Sequence, residues 1–406
     1  MKIVYVTPEY IDEKCLKPFD GGLASYLNKI TQLLAGKGHE IVVLMPNAKE
    51  AKTVDYKGVR VIFEHSQFKK TILHRLVWPF LSRKTKQKLK SEVCYQTIHK
   101  VLQKENSKEP IDIIQYASYL AMGKYPEKNI PSCVRLSSYA KLWQKNYNYS
   151  DPQEIENEIV QFQNARFIYG PSKYIADYIK QDLNLTKEIR IIETPFVPYV
   201  GEEDSSVYED LNKQIQGCPY LLFFGSIGLL KGAQELADSM PSILEKYPDL
   251  HLVLVGKEVL IDGKSPTKII QARAGVNASR VIRLSRQGHA TLFPLIRHAK
   301  AVLLPSRVDN LPNTCIEAMG LKKVVIGARG ASFEQLLEDD VSGLLCQAGD
   351  AKSIEVAVDR LMALSDKQIQ KMTEKAYERS LTLSMDAIVP QVLDYYRYVI
   401  QNWRQK

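Results

Sequence analysis

Residues 303–317 read LLPSRVDNLPNTCIE. The stretch begins inside a short apolar strand predicted for Ala301 to Leu304, continues as a polar loop and enters a helix predicted to begin near residue 312. Asp309 would lie in the loop that faces the helix N-terminus, and Glu317 about one turn into the helix. Free backbone N–H groups and the helix dipole attract anions at such an end, so the pattern suits a ligand with a sugar beside a phosphate. The alternative is an Asn-rich loop that caps a helix, with Glu317 on a solvated face.

Apolar strands alternate with helical patterns along the whole chain, which is typical of an α/β protein with parallel sheets. The strands predicted in the first half are Ile3 to Val6, Ile41 to Leu44, Arg60 to Phe63, Ile111 to Ile114, Cys133 to Leu136, Phe167 to Tyr169 and Arg190 to Ile192. Those predicted in the second half are Tyr220 to Phe224, Leu252 to Val255, Val281 to Leu284, Ala301 to Leu304 and Val324 to Ile326.

The length of 406 residues favours two domains over one core. We predict Rossmann-like domains at residues 1–200 and 218–384 that face a central cleft. The acidic, polar and weakly periodic segment 201–217 is the expected linker. Residues 385–406 form a C-terminal amphipathic helix.

Composition narrows the class of protein. The hydrophobic content of 45% is globular, and no apolar run reaches the length of a membrane span. The N-terminus resembles a strand rather than a signal peptide. The six cysteines have no paired spacing, which disfavours a metal site and a disulfide framework and predicts a reducing cytoplasm.

The net charge of +9 is concentrated between Phe68 and Lys90, where eight Lys or Arg residues occur without an acidic residue. Aromatic and aliphatic residues interleave with these charges, a pattern typical of contact with an anionic membrane surface. The residues expected to make that contact are Lys69, Lys70, Arg75, Trp78, Arg83 and Lys84. The alternative is a core-packed helix with a solvated basic face. Nucleic acid is disfavoured as a partner because no recognition motif accompanies the charge.

The order Pro305-Ser306, Asp309 and Glu317-Ala318-Met319 resembles the signature of retaining glycosyltransferases of family 4. The first acid is usually Glu in that family and is Asp here. Similar order elsewhere extends the resemblance over nearly the whole chain. It implies the GT-B architecture, in which two Rossmann-like domains face a central cleft and the C-terminal helix crosses back onto the first domain.

A second motif, FFGSIGLLKG at residues 223–232, reads as a strand, a glycine turn and a lysine before a helix. A lysine beside a helix N-terminus is a natural contact for a diphosphate, because its charge adds to the dipole. The resemblance matches Lys231 to the family's lysine. The family's arginine just after the first glycine is replaced by Ser226, so one cation of the implied site is missing. The alternative is a solvated lysine at a helix start.

Gly21 and Gly22 follow the first strand, where a doubly wound sheet binds ligands and where glycine lets the backbone approach them. The Gly-x-Gly-x-x-Gly fingerprint is absent after this strand, which disfavours a nicotinamide enzyme. The Gly-Gly-Leu-Ala order resembles the glycine loop of GT-B enzymes, which lies between the donor diphosphate and the acceptor. An ordinary helix-entry turn is the alternative.

The resemblance assigns roles in a nucleotide-sugar site. Glu317 would bind the ribose, Asp309 the sugar hydroxyls, and Lys231 the diphosphate, with help from the backbone amides of Asn313 and Thr314. The residues implied for catalysis are Asp309, Lys231 and Gly22. The remaining residues implied on the donor side are Gly21, Ser226, Asn310 and Leu311, with Arg283 and Leu284 near the base.

Arg135, Ser137 and Ser138 follow a strand of the first domain and are implied on the acceptor side. Many relatives have a His at the position of Ser137, and serine cannot accept a proton near neutral pH. Retaining transfer in this family is often described as front-face, with the departing phosphate oxygen taking the acceptor proton. The chain has no Asp-x-Asp pair, so no metal is expected. No other cofactor is expected, because the nucleotide-sugar would be a substrate.

The resemblance, together with the missing Asp-x-Asp pair, implies a retaining, metal-independent glycosyltransferase. It would move a sugar from a UDP- or GDP-linked donor to a glycan or lipid-linked acceptor in polysaccharide or glycoconjugate synthesis. We expect it in the cytoplasm, with the basic segment at the inner face of the membrane. Two alternatives stay open: a sugar-nucleotide-binding protein without turnover, which the serines at positions 137 and 226 would suit, and a sugar-nucleotide 2-epimerase.

Overall fold

Two parallel sheets organise the molecule. The computed structural model describes residues 1–19, 21–66, 78–147 and 149–403. The first sheet contains β1 (Lys2–Val6), β2 (Glu40–Met45), β3 (Asn47–Tyr56), β4 (Val59–His65), β5 (Ile113–Ala117), β6 (Ser132–Arg135), β7 (Ile168–Gly170) and β8 (Ile189–Ile191). Its strand order is β3-β4-β2-β1-β5-β6-β7-β8, and only the β3–β4 pair is antiparallel among its described pairings.

The second sheet is wholly parallel in its described pairings, with strand order β11-β10-β9-β12-β13-β14. It contains β9 (Tyr220–Phe224), β10 (His251–Val255), β11 (Val281–Leu284), β12 (Ala301–Leu304), β13 (Val325–Arg329) and β14 (Leu344–Gln347). Strand β9 is buried at all five residues because helices cover both faces of a parallel sheet. This explains why its sequence is continuously apolar rather than alternating.

The helices pack around these sheets. In the first half of the chain they are α1 (Gly22–Gly36), α2 (Arg83–Lys108), α3 (Ala140–Tyr147), α4 (Pro152–Asn164) and α5 (Lys173–Asp182). In the second half they are α6 (Ser206–Gln214), α7 (Ala233–Lys246), α8 (Pro266–Ala274), α9 (His289–His298), α10 (Asn313–Gly320), α11 (Ala351–Ala363), α12 (Asp366–Leu381) and α13 (Met385–Trp403).

The fold prediction is confirmed, since each strand predicted from an apolar run has a counterpart within a few residues. The predictions missed β3, whose sequence NAKEAKTVDY is polar and largely exposed at the sheet edge. An edge strand that faces solvent lacks the apolar run that reveals a buried one.

The segment 201–217, predicted to be a linker, contains α6. Leu211 and Ile215 of this segment are buried in the larger hydrophobic core, and α6 packs against α9 of the second half. Its polar composition reflects the exposed face of one short helix. The domain boundaries at residues 200 and 218 stay predictions.

The C-terminal helix α13 crosses back onto the first sheet. The Tyr396 hydroxyl lies 3.2 Å from the Tyr5 hydroxyl and donates to Gln115 Oε1 at 2.6 Å. Arg166 donates to the carbonyl oxygens of Asn402, at 2.5 Å, and of Trp403. The predicted crossover is therefore present. Across the described segments, we find no helix with the length and apolarity needed to cross a bilayer.

Candidate functional site

A cavity of about 370 Å³ lies between the carboxyl ends of the two sheets. Parallel sheets bind ligands at this edge because every strand ends there. The first half of the chain lines the cavity with Gly21, Gly22, Leu23, Arg135, Ser137, Trp143, Pro171 and Thr194. The second half lines it with Phe223, Phe224, Gly225, Ser226, Lys231, Leu304, Ser306, Asp309, Asn310, Leu311, Pro312, Asn313 and Thr314.

Two of the predicted catalytic residues meet in this cavity. Lys231 Nζ lies 2.5 Å from Asp309 Oδ2. The other carboxylate oxygen of Asp309 accepts from the Asn310 backbone N–H at 3.0 Å. The pair forms because β9 and β12 are neighbours in the sheet, so the loops that leave them emerge side by side. A cation and a carboxylate at one point suit a ligand that carries both phosphate and hydroxyl groups.

The turn that carries Lys231 fits closely against the loop after β12. Gly232 has φ +83°, and a Cβ at this position would lie 2.1 Å from the carbonyl oxygen of Pro305. Arg307 N donates to Leu230 O at 2.9 Å, and Arg307 Nε donates to the buried Glu235 at 2.6 Å. These contacts fix the position of the lysine relative to the aspartate.

Helix α10 points its N-terminus into the cavity. Pro312 precedes the helix and has no N–H to donate, and no side chain of the described residues caps this end. Asn313 and Thr314 line the cavity, and their backbone N–H groups have no hydrogen-bond partner among the described residues. The positive end of the helix dipole can therefore bind an anion here.

Glu317 lies one turn into α10, as predicted, but does not line the cavity. Its Oε1 lies 3.4 Å from His289 Nε2 at the start of α9. Burial lowers the pKa of Lys29 on α1, and the charge of Glu317 partly opposes that shift. Glu317 therefore lies beside the cavity, where α9 and α1 approach α10. No pattern in the sequence pointed to His289.

Arg283 and Leu284, implied near the base, end β11 and do not line the cavity. Arg283 donates to Gly256 O at 2.8 Å and lies 3.7 Å from Glu258. Burial would raise the pKa of Glu258, but hydrogen bonds from Thr267 and Ser265 and the charge of Arg283 outweigh it, so the pKa is lowered. Arg283 is thus held by groups of its own domain.

The glycine pair of the first domain faces α10 across the cavity. A Cβ on Gly22 would lie 4.0 Å from Asn313 Nδ2, and a Cβ on Gly21 would lie 3.6 Å from Glu9 Oε2. Burial raises the pKa of Glu9. Glu9 was not among the predicted site residues. Its place just after β1 could have indicated it, since residues that follow strands reach the ligand-binding edge.

The three residues expected on the acceptor side have different environments. Arg135 and Ser137 line the cavity, whereas Ser138 does not. The Ser137 hydroxyl lies 3.1 Å from Ser118 Oγ and accepts from the Tyr119 backbone N–H at 3.2 Å. Ser137 therefore helps to hold the loop after β5 against the loop after β6.

Asn310 links the two halves of the site. Its Nδ2 donates to the carbonyl oxygens of Leu136 and Ser137, both at 3.3 Å. Nearby, Ser332 Oγ donates to Asp309 O at 2.9 Å and lies 2.7 Å from Ser172 Oγ of the first domain. The loop that carries Asp309 thus contacts both domains.

Other predictions fall outside what the structure describes. Lys69, Lys70 and Arg75 lie outside the described residues, as do the side chains of Trp78 and Arg83. Lys84 is exposed in the first turn of α2. Within the described ranges, no group of three or more His, Cys, Asp or Glu residues could hold a metal ion. The membrane contact and the metal-independence both stay predictions.

Residues 218–364 match the family model described as "Glycosyl transferases group 1". Among curated proteins, the chain is similar to the D-inositol 3-phosphate glycosyltransferase of Corynebacterium urealyticum, with 25% identity over 178 residues. The match covers 43% of this chain and 42% of that relative. The chain thus spans less than half the length of this relative.

Solved structures resemble the whole chain. Sucrose-phosphate synthase from Thermosynechococcus elongatus superposes with a TM-score of 0.74 at 17% identity, over 98% of this chain and 99% of that one. Anabaena HepE, solved in complex with UDP, superposes with a TM-score of 0.72 at 15% identity, over 98% and 100% of the two chains. At these identities the likeness establishes the GT-B fold alone.

Proposed function

We propose that the protein is a glycosyltransferase that moves a sugar from a nucleoside-diphosphate donor to an acceptor bound by the first domain. The observation that carries this proposal is the ion pair of Lys231 and Asp309, which lies in a cavity beside the free N-terminus of α10. A phosphate binder, a carboxylate for hydroxyl groups and an anion-binding helix end occur together there. The glycine pair at residues 21 and 22 puts no side chain on the opposite wall of the cavity, where the backbone would approach the substrates.

The donor would lie along the second sheet. Lys231 and the backbone N–H groups of Asn313 and Thr314 would hold the diphosphate, and Asp309 would bind hydroxyl groups of the sugar. Glu317 would bind the ribose at the edge of the cavity. Uracil is the first base to test, because the Anabaena neighbour was solved with UDP.

The transfer would retain the anomeric configuration. The acceptor oxygen forms a bond to the anomeric carbon as the bond from that carbon to the phosphate oxygen breaks on the same face. The departing phosphate oxygen takes the acceptor proton, so the products are the glycosylated acceptor and the nucleoside diphosphate. Catalysis would depend on positioning and on stabilising the phosphate charge, with Lys231 and α10 as the stabilising groups.

The acceptor would be a glycan or a lipid-linked glycan, as in polysaccharide or glycoconjugate synthesis. The cluster of basic residues around Lys84 motivates a location at an anionic membrane surface. Cosedimentation with liposomes tests this location. Binding that requires anionic lipid and weakens with salt supports it, and binding that is insensitive to both refutes it.

The donor site is tested by thermal-shift titration with UDP, GDP, ADP and CMP. A ligand at about 100 times its Kd stabilises the native state by roughly 2.7 kcal/mol, which raises Tm measurably. We expect one diphosphate to give a large shift that is clearly smaller in Glu317→Ala and Lys231→Ala. Lys322→Ala is the matched control, because this exposed lysine pairs with Glu374 away from the cavity.

Turnover of the corresponding nucleotide-sugars then tests the reaction. A glycosylated acceptor whose formation falls in Glu317→Ala and Lys231→Ala supports the proposal, and unchanged kcat/KM in both variants refutes it. Binding without any turnover would favour the sugar-nucleotide-binding protein, an alternative that Ser226 in the cavity lining also suits. A changed sugar with donor alone would identify an epimerase.

A further inference from the structure

Arg135 is a buried cation for which the described residues supply no anionic partner. It ends β6, is 4% exposed and lines the cavity. Its Nη2 donates one long hydrogen bond, 3.5 Å, to Thr194 Oγ1, and its buried Nε has no partner. Within the described ranges it forms no ion pair with a carboxylate.

The other buried cations of the described residues are satisfied. Lys2, which is 4% exposed, donates to the carbonyl oxygens of Glu105 and Glu109 at 3.2 and 2.8 Å. Lys124, which is 6% exposed, pairs with Glu92 at 3.0 Å and donates to Asn157 at 3.0 Å. A buried charge without such partners is costly, and in this respect Arg135 differs from both of these lysines.

The guanidinium of Arg135 is held by a ring. Its central carbon lies 3.5 Å from the ring centroid of Tyr26, the geometry of a cation–π contact. The Tyr26 hydroxyl lies 3.2 Å from that of Tyr169, so the ring is itself fixed. Stacking restrains the plane of the guanidinium and leaves its N–H donors for an acceptor in that plane.

The charges of the cavity favour an anion as that acceptor. Its ionisable lining residues are Arg135, Lys231 and Asp309. The last two neutralise each other, so Arg135 supplies the net charge. A phosphate has the oxygen geometry that accepts two parallel hydrogen bonds from arginine.

We infer that Arg135 binds a phosphate group within the cleft, on the wall opposite Lys231 and α10. The inference rests on the proposed glycosyl transfer, because it gives that transfer a phosphate-bearing acceptor. The alternative source of the same chemistry is the diphosphate of the donor. Binding is measured without turnover. The phosphate site of Arg135 can therefore be refuted while the donor site is supported, and the donor site can be refuted while the phosphate site is supported.

The test is isothermal titration of the full chain with inorganic phosphate, with and without saturating UDP, and with UDP alone. We expect Arg135→Gln to weaken phosphate binding at least tenfold both with and without UDP, while UDP binding stays unchanged. This result places the phosphate on the acceptor. If phosphate competes with UDP, and Arg135→Gln weakens UDP binding as well, Arg135 binds the donor diphosphate.

Arg190→Gln is the matched control, since it removes the same charge from an exposed residue of the first domain. Arg135→Lys keeps the charge without the two parallel donors, and we expect intermediate phosphate affinity. Circular dichroism and Tm establish whether each variant folds. If Arg135→Gln does not fold, the phosphate titration of Arg135→Lys tests the inference. Two results overturn the inference. In the first, a folded Arg135 variant binds both phosphate and UDP as tightly as the wild type does. In the second, the wild type does not bind phosphate, and the variant binds UDP as tightly as the wild type does.

Discussion

Lys231 and Asp309, which are 78 residues apart in the chain, form an ion pair inside the cavity, with Nζ 2.5 Å from Oδ2. The lysine is 34% exposed and the aspartate 14% exposed, so ligand can reach the cation. A diphosphate that binds Lys231 must compete with Asp309 or share the lysine with it. Binding of a phosphate to Lys231 therefore weakens the contact between Lys231 and the Asp309 carboxylate.

This coupling predicts opposite effects for the two partners. Asp309→Asn should leave nucleoside-diphosphate affinity unchanged or higher, because Lys231 loses its competitor. The same variant should lower kcat about 100-fold, the scale on which loss of one preorganised polar contact slows an enzyme. Lys231→Ala should weaken diphosphate binding about tenfold, the equivalent of roughly 1.4 kcal/mol.

Calorimetry with the diphosphate that stabilises the wild type most, together with steady-state kinetics, measures both effects. Lys322→Ala again controls for the loss of a lysine outside the cavity. If Asp309→Asn weakens diphosphate binding as strongly as Lys231→Ala does, the two residues bind the phosphate jointly. The prediction that Asp309 competes with the phosphate for Lys231 is then wrong.

Gly232 gives a second prediction. Its φ of +83° and the 2.1 Å distance from a built Cβ to Pro305 O leave no space for a side chain. Gly232→Ala should therefore lose more stability than the roughly 1–2 kcal/mol that left-handed backbone costs alone. It should also displace Lys231 and weaken diphosphate binding.

Gly263→Ala is the control for the backbone conformation. Gly263 has φ +75°, and a Cβ there would meet nothing within 4 Å. Urea denaturation of both variants distinguishes the backbone strain of a positive φ from the collision of the Cβ with Pro305 O, because the midpoint reports stability when m is constant. An equal loss of unfolding free energy in the two variants would show that the loop after β12 moves away from the added Cβ at no cost.

Much of the fold follows from the sequence because buried parallel strands carry continuous apolar runs. The meeting of Lys231 with Asp309 also follows in outline, since each residue comes after a strand of one sheet. What the sequence leaves open is the strand order. Lys231 and Asp309 are 78 residues apart in the chain, and they come into contact because β9 and β12 are neighbours in the sheet.

The rest of the site depends on contacts that no local pattern encodes. His289 lies near Glu317 because the first residue of α9 approaches α10. Ser118 becomes the partner of Ser137 because the loops after β5 and β6 emerge together. Arg135 has no carboxylate partner among the described residues, which is a property of its surroundings, so its motif could suggest an acceptor contact but not a buried cation with an unsatisfied Nε. The position of Arg283 away from the cavity likewise reflects its bonds to Gly256 and Glu258.

Glu158 on α4 predicts a pH dependence of stability. Burial raises its pKa well above the ordinary value, although one oxygen accepts from the Ala140 backbone N–H at 2.6 Å. The folded protein then holds a proton that the unfolded chain releases above its own pKa near 4.5. Stability should therefore fall as pH rises from that value toward the raised pKa, with a slope of up to about 1.4 kcal/mol per pH unit for one proton.

Glu158→Gln removes this proton uptake and should flatten the dependence of the free energy of unfolding on pH between 5 and 8. Glu156→Gln, an exposed residue of the same helix, is the control and should leave the slope unchanged. Urea denaturation at several pH values measures the slopes. Equal slopes in the wild type and Glu158→Gln would mean that another group sets the pH dependence.

Glu193 connects the two halves of the chain. Its Oε1 accepts from Gln335 Nε2 at 2.7 Å and from Arg379 Nη2 at 2.5 Å. Gln335 also donates to Pro171 O at 2.8 Å. These contacts join the end of the first sheet to the loop after β13 and to α12.

A double-mutant cycle of Glu193→Ala and Arg379→Ala tests the strength of this connection. Exposed ion pairs contribute about 0.2–1 kcal/mol, and we expect about 1 kcal/mol of coupling here because both side chains are more than two-thirds buried. Part of the pair's attraction is still screened by solvent, which keeps the expected coupling below that of a fully buried pair. Because the pair lies between the domains, breaking it should also speed hydrogen exchange in the loop after β13 while α1 keeps its protection. A coupling near zero with unchanged exchange would mean that the domains are held by the packing of α13 and by the contacts of Asn310 instead.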